Sequence, residues 1–319
     1  DGGNIFYCCI PILDKSMHIF GAGAGKTVLK LAAWQRSASR HVVMMLIRGT
    51  GPMAPGYSSF SVDGLTLDGN VKYQYSGTQH DGEALILVGS ARRNGKYANL
   101  ELRNSHGAGL YLGNNGSGSG SNELVRDCIA RDCKAEGIML DTCQRSQVTD
   151  CEAYGCRDGL CLYGNDDWQS RGPDQVTTRG FKTDSQIVCW QVNDFTLDGV
   201  NMDCSKAKGA YGLVVRDGSG TVKSSSLKND KKKRDSTGGA TYIYEAAQVR
   251  LEDCQLSGWF GIHAIGSSQV EALRCHLEAP GGCYCTTDAS PVSSIIRAEK
   301  CTWSGKKSDL GEGSELEEA

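Results

Sequence analysis

The amino-acid sequence predicts an all-β chain wound as a single-stranded parallel β-helix, a solenoid of about ten rungs. Three observations predict it. Short apolar stretches of period two, the mark of half-buried strands, recur along most of the chain. Their spacing is 20–29 residues, the length of one solenoid turn. Glycine fills 41 of 319 positions and proline only 6, and turn signals do not recur at the ~8–12-residue spacing that the hairpins of a sandwich would give.

The bulk properties exclude several classes. A net charge of -3 with 22% charged residues gives no basic face for nucleic acid or an anionic membrane. No apolar run reaches the length of a spanning helix, so no membrane insertion is expected. The chain opens Asp1-Gly2-Gly3, which reads as the product of processing or trimming.

Taken in order, the first element is the glycine corner Gly21-Ala-Gly-Ala-Gly-Lys-Thr27, followed by a strand to Leu31. A phosphate loop would need glycine where Phe20 stands, so the corner is structural. Asp63-Gly-Leu-Thr-Leu-Asp-Gly-Asn70 is the next turn and strand. The apolar stretches then run Ala84–Leu87, Gly109–Leu112, Gly137–Leu140, Gly159–Leu162, Gln186–Trp190, Gly212–Val215, Ala240–Tyr244 and Gly261–Ala264. Counted on the first inward residue they fall at 85, 110, 138, 160, 187, 213, 242 and 262, in steps of 25, 28, 22, 27, 26, 29 and 20. Loops are expected near 114–121 (Gly-Ser-rich), 165–182 and 228–239 (a charge run), inside one domain spanning 1–305. Residues 306–319 read as an acidic tail.

A second motif alternates with the first. Asn99–Asn104, Leu124–Cys128, Gln147–Cys151, Val200–Cys204, Val249–Cys254, Val270–Cys275 and Ile295–Cys301 are short strands, nearly all closing in cysteine. Fifteen cysteines cannot all pair, and none of their spacings suits zinc. They are expected at one recurrent inward corner, where a small, easily buried side chain stacks on the next copy.

The Gly-Ala-Gly turn, the Leu65-Thr-Leu-Asp-Gly-Asn70 strand and the repeated rungs resemble the right-handed parallel β-helix, or pectate-lyase-like, superfamily. The early rungs are most similar to the catalytic modules of mannuronan C5-epimerases. That resemblance implies a right-handed coil and polysaccharide chemistry. The epimerase signature Tyr-Gly-Phe-Asp-Pro-His is not kept: the matching place reads Ala108-Gly-Leu-Tyr-Leu-Gly113. Epimerase acid and base residues therefore do not carry over.

Strand alternation supplies the candidate site. The residues following the second inward position of successive rungs are Asp141, Tyr163, Trp190, Arg216 and Glu245, which would form one outward file with rungs ~4.8 Å apart. Aromatic faces suit pyranose rings, and a guanidinium with carboxylates suits hydroxyls or uronates. Tyr111 and His263 fall in the neighbouring outward file, and His80 precedes the Leu85 strand. Asn165-Asp-Asp-Trp168 opens a long excursion beside the file. There Asp166 and Asp167 suit a catalytic carboxyl pair, Ca²⁺ or a capped turn.

The function expected is a carbohydrate-active enzyme (lyase, epimerase or glycoside hydrolase) on an extracellular, uronate-containing polysaccharide. Arg216 would neutralise a carboxylate, Tyr163 or His263 would carry a proton, and Tyr111, Trp168 and Trp190 would bind sugar. Hydrolysis would draw on Asp141, Asp166, Asp167 and Glu245. No cofactor is required. The alternative is a non-catalytic, tailspike-like or adhesin-like β-helix, which would bring virion-surface placement and a homotrimer with it.

Overall fold

The computed structural model describes residues 5–13, 16–36, 40–48, 60–77, 83–89, 94–113, 122–164, 174–207, 211–230, 238–286, 294–305, 308–310 and 315–318. The chain divides into two compact units, Asp1–Leu162 and Tyr163–Ala319. In both, the strands are parallel and each turn of chain contributes to three sheets in succession. The fold is a right-handed parallel β-helix, the hand that parallel crossover connections adopt.

In the first unit the first sheet orders Ile5–Leu13, Arg40–Arg48, Ala84–Gly89, Ala108–Gly113, Glu136–Asp141 and the strand that begins at Asp158. Register is set by inward apolar columns, since slipping a strand by one residue would turn its apolar set to solvent. Met45, Ile86, Leu110 and Ile138 pair in line, as do Ile47, Val88, Leu112 and Leu140. All eight are buried. The second sheet stacks Val62, Tyr97, Val125 and Val148, and the third stacks Leu67, Leu102, Ala130 and Ala153.

The second unit repeats the scheme. Its first sheet orders Gln186–Trp190, Tyr211–Arg216, Gly239–Tyr244, Phe260–Ile265, Cys283–Thr286 and Ser308–Leu310. The third sheet carries the column Met202, Leu227, Leu256 and Leu277. Six first-sheet strands are thus seen in each unit. The added turns lie at the ends of the chain, outside the span where the regular spacing was counted.

Four features differ from the sequence reading. Each turn has three strands, because the V-x-x-x-C motif runs through one short strand and its corner into another: Leu124–Arg126, then Ile129–Arg131. Corner thiols occupy three corners, not one, as Cys128, Cys133 and Cys143 show, and Cys161, Cys189 and Cys283 lie within first-sheet strands. Each of the first three follows a left-handed residue, Asp127 (φ 53°), Asp132 (φ 53°) or Thr142 (φ 55°). At such a corner the strand turns about one αL residue, and the next side chain drops into the interior. A thiol there donates weakly to main-chain oxygen: Cys128 Sγ lies 3.2 Å from Arg126 O, and Cys254 Sγ lies 3.2 Å from Glu252 O. None of Cys128, Cys151, Cys254, Cys275 and Cys301 is in a disulfide.

The excursion expected to run to Lys182 ends earlier. Thr177–Arg179 is a second-sheet strand paired with Thr196–Asp198, hidden in the sequence because Thr178 takes an inward, fully buried position usually held by Val or Leu. The segment read as an acidic tail also pairs: Ser308–Leu310 adds beside Cys283–Cys285, and Glu315–Glu318 beside Ile295–Ala298.

Candidate functional site

In the second unit Trp190, Arg216 and Tyr244 sit at one register position on successive first-sheet strands. Trp190 also meets Tyr163, with ring centroids 5.2 Å apart and planes at 36°. The Arg216 guanidinium lies 4.2 Å from the centre of the Trp190 ring and 5.6 Å from that of Tyr244. A cation between two aromatic faces is favoured by the ring quadrupoles. Arg216 Nε also donates to Glu245, and that hydrogen bond and charge hold its pKa above the usual arginine range. The Trp190 indole N–H is buried, with no acceptor among the described residues.

The sequence places Glu245 in this file and Tyr242 and Tyr244 inside. The structure reverses that turn by one residue. Thr241 and Ile243 are fully buried and pair with Leu213 and Val215, so Tyr242 and Tyr244 face outward. Glu245 comes one residue later, in the left-handed region (φ 57°), and reaches the file only through its ion pair with Arg216. The slip came from preferring two aromatic residues to Thr241 and Ile243 as core. Thr241 is accommodated because its hydroxyl donates to Gly261 O at 3.1 Å. Tyr244 is therefore a site residue that the alternation missed.

The neighbouring outward file is aromatic. Tyr242 stacks on Tyr211 at 4.3 Å and 12° and on Tyr244 at 4.7 Å and 26°. His263 pairs in register with Tyr242. Its Nδ1 is hydrogen-bonded to the Tyr211 hydroxyl at 2.9 Å, and its ring is packed against Phe260 and Tyr242. Although it occupies an outward position, His263 is only 3% exposed, and burial lowers its pKa to about 4. It is neutral near pH 7 and orients Tyr211. Tyr211, next to Gly212 at the start of its strand, carried no sequence signal beyond that.

In the first unit the Tyr111 hydroxyl donates to Asp141 Oδ2 at 2.6 Å. Burial pushes the Asp141 carboxyl up, with the Tyr111 bond acting against it. Two charged clusters there, one buried and one with a half-exposed arginine, were not visible in the sequence. Arg36 Nε donates to Glu83 Oε1 at 2.7 Å, and His106 Nδ1 meets Glu83 Oε2 at 3.2 Å. Arg157 bridges Glu136 and Asp158, both raised by burial. Each joins residues from different turns, so no local spacing announces it.

His80, Asp166, Asp167 and Trp168 lie outside the described residues. No group of three or more His, Cys, Asp or Glu among the described residues is arranged to hold a metal ion. No described helix is long and apolar enough to cross a membrane.

No family model and no curated protein sequence matches the chain. Solved structures do match in shape. The A-module of Azotobacter vinelandii mannuronan C-5 epimerase AlgE6 superposes with a TM-score of 0.62 at 16% identity, over 94% of this chain and 83% of that one. The catalytic domain of a GH87 alpha-1,3-glucanase in complex with tetrasaccharides gives 0.62 at 12% identity, over 98% and 63%. An N-terminal fragment of bacteriophage phi29 gene product 12 gives 0.60 at 14% identity, over 96% and 59%. At these identities the likeness is one of fold, and by fold the chain is a parallel β-helix of the kind these three share.

Proposed function

We propose that the chain is a carbohydrate-active β-helix that takes an extracellular, uronate-containing polysaccharide along the outward face of the second unit's first sheet. One observation carries this reading: the continuous run of Tyr163, Trp190, Arg216 and Tyr244, in which a guanidinium is held between aromatic faces. Sugar rings stack on Tyr163 and Trp190. Arg216 exchanges Glu245 for a uronate carboxylate, a swap between equivalent charge-assisted hydrogen bonds. Neutralising that carboxylate acidifies the C5 proton, and elimination or epimerisation then needs a proton carrier beside Arg216. The Tyr244 phenol stands next to it, and that of Tyr163 lies on the other side, beyond Trp190. No cofactor enters these steps. Fold likeness to an epimerase module and a glucanase domain supports the reading.

A panel of alginate, pectin and glycosaminoglycans tests it, read by absorbance of unsaturated products, new reducing ends and tryptophan emission. The expected result is turnover on a uronate polymer that Arg216→Ala abolishes, with Trp190→Ala weakening binding about tenfold. No product and no binding on any polymer would overturn it.

A second reading, a non-catalytic glycan-binding β-helix like the tailspike proteins, is favoured by the buried, neutral His263 and by the charge Glu245 already places on Arg216. It predicts binding without product, and a trimer in native mass measurement.

A further inference from the structure

Beside the aromatic file, three successive corners leading from the first sheet to the second form an open surface cavity of about 250 Å³. It is lined by Gln191, Asn193, Asp217, Ser219 and Gln248, with Gly218 and the methyl of Ala246 in its wall. Gln191 directly follows Trp190 and Asp217 directly follows Arg216, so the cavity adjoins the proposed sugar track by covalent connection. The corners are fixed by main-chain bonds from one turn to the next: Gln191 N–H donates to Arg216 O at 2.8 Å, Asp217 N–H to Tyr244 O at 3.1 Å, and Gln248 N–H to Gly218 O at 2.8 Å. Ser219 Oγ is hydrogen-bonded to Asn193 Oδ1, and Asn193 N–H donates to Asp174 Oδ2 at 2.9 Å. The cavity is therefore held by the scaffold.

We propose that this cavity is a subsite for one neutral sugar unit of the polysaccharide, either a branch or a residue following a uronate; this rests on the polysaccharide reading above. The lining carries the argument. Carboxamides and a hydroxyl both donate and accept, as sugar hydroxyls do. The one charged group, Asp217, only accepts, which suits a diol and repels a carboxylate. No lysine or arginine lines the space. Its volume falls below the ~300–1,000 Å³ of drug-sized sites, so it takes a single ring. The contrast with Arg216 next door makes the ligand a mixed polymer, acidic on the track and neutral in the corner.

The probes are the methyl glycosides of glucose, galactose and mannose, together with methyl glucuronide and methyl galacturonide. Each is titrated into the full chain and read by saturation-transfer and chemical-shift NMR. At least one neutral glycoside is expected to bind, about tenfold tighter than its uronide. Gln248→Ala should weaken it about tenfold, and Asp217→Asn should remove the preference against the uronide. Far-UV dichroism and an unchanged denaturation midpoint establish that each variant is folded. The proposal is overturned if no neutral glycoside binds, if Gln248→Ala has no effect, or if the uronide binds equally well. Failure of the track reading shows separately, as polymer binding that is indifferent to Trp190→Ala.

Discussion

At His263 and Glu123 the fold holds two titratable groups in their neutral forms, with opposite consequences for pH. Burial lowers His263 to about 4 from an ordinary 6.5. The unfolded chain therefore binds more protons between those values, and stability is lost as pH falls through that window. Glu123 is 3% exposed and one of its carboxyl oxygens has no partner among the described residues. Burial raises it to about 8 from 4.5, with a hydrogen bond from the Gly95 main chain acting against the rise. Its folded form keeps a proton that the unfolded chain gives up, so stability is lost as pH rises from 4.5 to 8. Urea midpoints measured from pH 4 to 9 should form a dome. His263→Gln should flatten the acid side, and Glu123→Gln should flatten the alkaline side. The change is expected to be on the order of 3 kcal/mol for His263 and on the order of 5 kcal/mol for Glu123 at the extreme. Neither group was readable in the sequence as buried and neutral, because what desolvates it comes from other turns of the chain.

For the strands and corners, the G-[IL]-x-L pattern has a steric origin. A Cβ on Gly137 would stand 2.8 Å from both Ala153 Cβ and Gly159 O, and one on Gly109 would stand 2.6 Å from Gly137 O. Neither glycine has positive φ. They are glycine because the next turn lies against them. Gly137→Ala is accordingly expected to cost about 1–3 kcal/mol. Gly89→Ala, where nothing lies within 4 Å, should be neutral or stabilising by up to ~1 kcal/mol. Paired denaturation curves check both. These elements were the most legible part of the sequence: alternation placed most first-sheet strands and put Trp190 in register with Arg216. Legibility failed where an inward position is polar, as at Thr178 and Thr241. There hydrophobic period two disappears although the pleat continues, and the cost was one slipped strand and one missed strand. The Ala84 strand slips as well: it is apolar throughout, and Ile86 and Val88, not Leu85 and Leu87, stand in the inward columns.

On the scale of the whole chain, turns contact their sequence neighbours through parallel ladders, so stability is a sum of local terms coupled to the next turn. Hydrogen exchange on Gly137→Ala should show faster exchange in Ala108–Gly113 and Glu136–Asp141 and unchanged protection in Gln248–Glu252. Uniform loss across the chain would contradict a solenoid. The winding itself was plain from the repeat length. Its three-sheet cross-section was not, because three-residue strands are too short for periodicity to resolve. The buried cysteine columns have a practical corollary. Each sulfhydryl lies beneath the peptide of its own turn and meets reagent only when that turn lifts away. The alkylation rates of Cys128, Cys151, Cys254 and Cys275, read by peptide mass mapping, would thus serve as a set of clocks. Each would time the breathing of a single coil in the intact, unlabelled molecule.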